Sequence, residues 1–155
     1  MWTLNVNEEK KLLILKLSGT LTLNELSEYL IEIYDKNDGK FAAFNRFVDL
    51  SALKDIKVDL ETVSSRIREY RCLIKPEKPI KISLFIPQKY IKGFSFLYKS
   101  MLSDDLFRLE ILESLHECAL YLSVDKKLLE DAVTRNDYSH WKEIRPKSAS
   151  LCAEV

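Results

Sequence analysis

Ile80-Lys81-Ile82-Ser83-Leu84-Phe85-Ile86 (IKISLFI), set between Pro79 and Pro87, is the stretch on which the fold turns. Five of its seven side chains are large and apolar, which predicts a buried, central strand. Helical patterns flank it on both sides. Upstream, Asp59 is placed to cap a helix on which Leu60, Val63, Ile67 and Tyr70 share a face; downstream, Tyr90, Phe94, Leu97, Tyr98 and Met101 make a second stripe. A single strand between two helices cannot pair with its sequence neighbours through a hairpin. It must run parallel to the next strand, with the helix as crossover.

The pattern repeats outward. Phe44 to Leu50 (FNRFVDL) predicts an earlier strand, followed by a connection over Ser51 to Lys57, and Phe107 to Leu112 (FRLEIL) predicts a later one. At the start, Trp2 to Val6 and Leu12 to Leu17 flank the polar turn Asn7-Glu8-Glu9-Lys10 and predict a hairpin ending at Ser18-Gly19. Thr22 with Glu25, and Ser114 with Glu117, have capping-box spacing. The first of these helices should stop at Asn37-Asp38-Gly39, where glycine accepts the left-handed conformation. Asp125 is placed to cap a last helix through about Thr134. The predicted class is α/β: one mostly parallel, five-stranded sheet with an N-terminal hairpin and helices packed on it. Residues 1–125 form the domain, and residues 126–155 a C-terminal helix and a tail that docks weakly or not at all, with only Trp141 and Ile144 as anchors.

The 155 residues and 46% hydrophobic content suit one globular domain with a real core. The 24 basic and 24 acidic residues cancel, so the molecule as a whole attracts neither nucleic acid nor an acidic membrane. The cancellation hides a pattern, because nine basic and two acidic residues fall between positions 63 and 103, flanked by acidic segments. No apolar run reaches the roughly 20 residues of a membrane span, and no leader pattern opens the chain, so the expected location is the cytoplasm. Cys72, Cys118 and Cys152 are an odd set, far apart and in no CxxC or Cys/His ligand spacing, which suggests neither a disulfide framework nor a zinc site.

Catalytic patterns are missing. Neither His116 nor His140 has a neighbouring Cys, Asp or Ser in any recognisable catalytic setting; Gly19, Gly39 and Gly93 are isolated, which excludes a phosphate loop; and Asp104-Asp105 reads as a solvated turn. The chain is therefore expected to be no enzyme and to call for no cofactor or metal.

In their order, the hairpin ending in Leu17-Ser18-Gly19-Thr20-Leu21-Thr22, the strand Phe47-Val48-Asp49-Leu50-Ser51, the strand Ile80 to Phe85, and Phe107-Arg108-Leu109-Glu110-Ile111 followed by Glu117-Cys118-Ala119-Leu120-Tyr121-Leu122 resemble one family. It is the SpoIIAA-like branch of the STAS superfamily, the sulfate-transporter and anti-sigma-factor-antagonist domains, similar in fold to lipid-binding Sec14 domains. The resemblance spans about residues 1–125 and implies a small cytoplasmic bacterial protein with a non-catalytic regulatory or binding role. In anti-sigma antagonists a serine at the start of the second helix is phosphorylated. That position falls near Val58 here, and valine accepts no phosphate.

The expected binding surface lies on the second and third helices, where Arg66, Arg68, Lys92 and Phe96 combine positive charge with an aromatic ring off the apolar stripe. It suits a protein partner or a small hydrophobic or anionic ligand, or a second copy of the chain covering Phe96. A Sec14-like carrier of a lipid or other hydrophobic ligand is the alternative. Nucleic acid is not expected, because the aromatic residues do not interleave with the basic ones on a sheet face.

Overall fold

The computed structural model describes residues 1–87, 96, 98–135 and 142–144. Strands β1 (Trp2–Asn7) and β2 (Leu12–Leu21) form the expected hairpin, paired antiparallel from Trp2 against Leu17 to Asn7 against Leu12. Helix α1 (Leu23–Leu30) starts at a capping box: the Glu25 N–H donates to Thr22 Oγ1 at 3.3 Å, and the Thr22 N–H to Glu25 Oε2 at 3.2 Å. A wider turn over Ile31–Asp35 follows, and the chain then reverses through Asn37, Asp38 and Gly39, all at positive φ. Three consecutive left-handed residues end the helix as the sequence predicts.

Strand β3 (Asn45–Ile56) leads to α2 (Leu60–Arg71), capped by Asp59, whose Oδ1 accepts from the Thr62 N–H at 2.8 Å. Strand β4 (Ile80–Phe85) precedes residues 98–102, which are helical (α3), and β5 (Phe107–Leu112). Helix α4 (Leu115–Leu122) is capped by Ser114, and α5 (Lys126–Glu130) by Asp125.

The sheet order is β5-β4-β3-β2-β1-β6, with β2 to β5 parallel and β1 antiparallel to β2. It is an α/β fold. Three expectations are corrected. The second strand runs on past Gly19 to Leu21, and the third continues through Ser51 to Ile56 where a connection was expected, because the two stay paired through irregularities near Ser18 and Thr20. The tail contributes a sixth strand, β6 (Lys142–Ile144), antiparallel to β1, with Ile144 packed on the core; this segment docks. Leu129 and Ala132, beyond position 125, are buried in the core beneath α4. Tyr90, Phe94, Leu97, His140 and Trp141 lie outside the described residues.

Side-chain alternation assigns each strand residue to one of two layers. Leu13 and Leu15 of β2, Val48 and Leu50 of β3, and Ile80 and Ile82 of β4 meet the layer containing α1 and α2, while Leu12, Ile14, Phe47 and Phe85 meet α4 and α5. The sheet is thus buried on both sides. At its β5 edge the preceding segment folds back, with the Asp104 N–H donating to the Phe107 carbonyl at 2.9 Å and the Leu109 N–H to Ser103 Oγ at 3.1 Å.

A prediction follows from the left-handed turn. Gly19 and Gly39 both have positive φ, yet an added Cβ meets nothing within 4 Å at Gly19 and lies 3.1 Å from the Tyr34 carbonyl at Gly39. Gly19→Ala should cost about 1 kcal/mol from backbone conformation alone. Gly39→Ala should cost more, read as a larger drop in urea midpoint at unchanged m-value.

Candidate functional site

The sequence-predicted surface is not drawn into one site. Arg66 is exposed and reaches Glu69 at 4.0 Å. Arg68 turns the other way along the helix, and its Nη2 donates to the Met101 carbonyl at 2.9 Å, tying α2 to α3. Phe96 is 55% exposed. Lys92 lies outside the described residues. Arg68 also borders an open groove of about 410 Å³ between α2 and α3, together with Leu60, Ser64, Ser65 and Met101.

A different site lies on the inner side of α2. Between the sheet and the helices is an apolar cavity of about 110 Å³, with Leu15, Val48, Leu50 and Ile82 as its floor and Val63, Ile67 and Leu102 against it from the helices. Strand alternation explains the floor. Each of those four residues projects to the α1 and α2 side of a strand buried on both faces.

Two cations enter this aliphatic space. Arg46 shares the β3 face with Val48 and Leu50 and is only 4% exposed. Its Nη1 donates to Tyr34 Oη at 3.2 Å and its Nη2 to the Ala42 carbonyl at 2.9 Å, while its Cζ lies 5.3 Å from the centre of the Tyr34 ring. Arg71, the last residue of α2, donates from Nη1 to the Leu102 carbonyl, and its Cζ stands 4.2 Å over the Phe107 ring. The Nε atoms of both are buried without a hydrogen-bond partner, and among the described residues neither arginine pairs with a carboxylate. Burial lowers Arg71 from the ordinary guanidinium value, Tyr34 opposes this, and the charge of Arg46 lowers it further.

Tyr29, Tyr34 and Tyr98 complete the lining. Burial pushes the Tyr29 hydroxyl up, partly offset by Arg46, and pushes Tyr98 up strongly. Tyr29 and Tyr98 therefore stay neutral at ordinary pH.

Sequence reasoning missed both arginines. Arg71 follows Ile67 by four positions, so it stands on the buried stripe rather than opposite it, and Arg46 precedes Val48 by two in a strand read as buried. A cation at an inward-facing position was the signal in each case.

Elsewhere, the groups weighed for chemistry occupy structural positions. His116 is exposed in the first turn of α4. Asp104 Oδ1 accepts from the Leu106 and Phe107 N–H groups, both at 2.8 Å, as a turn residue does. Cys118 is buried, which raises its thiol pKa and disfavours the reactive thiolate. Cys72 is a free, exposed thiol. The position that the family resemblance assigns to a phosphoacceptor holds Val58, which is buried in the core. Among the described residues no three His, Cys, Asp or Glu side chains are grouped to hold a metal ion, and no helix is long and apolar enough to cross a membrane. Comparison of the chain with protein-family models and with curated proteins finds no match.

The buried phenols generate a pH prediction. Tyr29 and Tyr98 have folded-state pKa values raised above the usual 10.0, so the unfolded chain releases their protons first. Their contribution to stability is complete below about pH 10 and is lost as pH rises beyond it. Urea unfolding from about pH 8 to about pH 11 should show this decline, and Tyr98→Phe should make it shallower.

Proposed function

We propose that this protein is a non-catalytic binding module of the STAS type that takes a small, largely apolar ligand between its sheet and the α1 to α3 layer. The observation that carries the reading is the 110 Å³ cavity with its aliphatic walls. Apolar cavities accept small organic molecules, and this one is partly open to the surface, so it suits a short hydrocarbon chain that need not be wholly enclosed. Of the two expectations drawn from sequence, the carrier of a hydrophobic ligand in the manner of Sec14-like domains is therefore favoured. The STAS assignment rests on the order of elements, with its N-terminal hairpin, parallel strands and intervening helices. That resemblance also supplies the bacterial, cytoplasmic setting and the regulatory role.

The absence of a catalytic step in this reading rests on chemistry. Among the described residues that line the cavity none is His, Cys, Asp or Glu, and a general base poised to exchange a proton there is what a hydrolytic or isomerising site would need.

A second reading, docking of a protein partner on the outer surface of α2 and α3, is favoured by the open groove beside Arg68. Ser65→Arg, on an exposed groove residue, would disrupt such docking and leave the cavity untouched.

The cavity reading is tested by filling the space. Pentan-1-ol, a small apolar probe, should shift the NMR signals of Val63, Leu50 and Leu102 methyl groups in a saturable manner. Ile67→Trp should retain a cooperative thermal transition and weaken that binding roughly tenfold or more. Unchanged probe binding in the filled variant would refute the reading.

A further inference from the structure

Resting on the cavity reading above, we infer that Arg46 and Arg71 form a carboxylate receptor, and that the ligand is a small apolar monocarboxylate with its acid group between the two guanidinium groups and its hydrocarbon part against Val48, Leu50, Val63 and Ile67. Two independent elements bring these cations together. Arg46 comes from the middle of β3, in a row that is otherwise Val48 and Leu50, and Arg71 from the end of α2.

The hydrogen-bond inventory points to an anion. A guanidinium offers five N–H donors in a planar fork. The bonds of Arg46 go to one phenol and one carbonyl, those of Arg71 to a carbonyl and to the Tyr34 side chain, and both Nε donors are buried without a partner among the described residues. Bidentate pairing with a carboxylate uses this type of donor pair, in the plane of the fork. Both cations line the same cavity, and the Arg46 charge disfavours that of Arg71. An anion between them relieves that repulsion and supplies the missing acceptors.

Fold stability accounts for one of these arginines only in part and for the other hardly at all. Arg71 ends a helix, where a cation interacts favourably with the helix dipole, and it stacks on Phe107. Arg46 has no such place. On a strand buried on both faces, an aliphatic residue would fill its position at no desolvation cost.

The class of ligand follows from the proportions of the site. Its polar lining consists of Arg46, Arg71 and the tyrosines, and the remainder is aliphatic. A singly charged head with a short hydrocarbon body fits that division. Inorganic phosphate lacks the apolar part, and an alcohol lacks the charge.

The test uses the full chain and three probes, pentanoate, pentan-1-ol and inorganic phosphate, with binding followed by NMR titration and by the shift in melting temperature. Pentanoate should bind at least tenfold more tightly than pentan-1-ol, and phosphate more weakly than pentanoate. Arg71→Met should remove most of the preference for pentanoate while changing pentan-1-ol affinity by less than about twofold, the difference expected when charged hydrogen bonds alone are lost. Arg71→Lys should restore part of it. Arg46→Met should act in the same direction if it folds, and Arg71→Met carries the test if it does not. Equal affinity for pentanoate and pentan-1-ol, or phosphate binding as tightly as pentanoate, would overturn the receptor and leave the cavity reading standing. Failure of both organic probes to bind would overturn the cavity reading itself.

Discussion

Burial of the central β2 and β3 strands on both faces is the constraint from which the rest of the molecule follows. A parallel pair in this position needs a crossover for every further parallel strand, and the crossovers supply helices to cover the sheet. Once the sheet is covered twice, alternate residues go to different layers with no solvent-facing option. Arg46 and Asp49, three positions apart in β3, consequently lie in different interiors. Asp49 is on the side of Phe47 and takes Ser51 as its partner, its Oδ1 accepting from the Ser51 N–H at 2.9 Å and from the hydroxyl at 2.6 Å. Arg46 is on the opposite side and reaches Tyr34 and Ala42.

The same geometry makes the cavity expensive. A space left unfilled between sheet and helices forfeits the packing contacts that larger side chains would make there. A larger side chain at Val48 or Val63 is a simple way to reduce it. Both valines line the same cavity as the two arginines, and the expense recurs whenever that cavity is empty.

How legible this was from the sequence depends on the kind of signal. The caps at Thr22, Asp59, Ser114 and Asp125 are local hydrogen-bonding devices, and each was readable because its partner is two or three residues away. The extension of β3 over Ser51 to Ile56 was not. Its polar composition resembles a loop, and it is strand because β2 offers a parallel partner past Gly19, a contact between distant residues. The strand at Lys142–Ile144 was hidden for the same reason, since three residues have no periodicity and only the free edge of β1 gives them a place. At the site, charge drew attention to Arg66 and Arg68, whereas the angular position of Arg71 on α2 was the better guide. Helical spacing tells which side a residue faces, and a cation on the wrong side is more informative than several on the right one.

The fold-back ahead of β5 has a consequence for behaviour at high concentration. A terminal strand of a sheet presents a ladder of backbone groups that another chain can extend. Here Asp104 and Ser103 take up the Phe107 carbonyl and the Leu109 N–H, and β6 covers part of β1 at the far end. At the β5 end the chain thus occupies part of its own edge, which works against growth into fibrillar stacks by strand addition there.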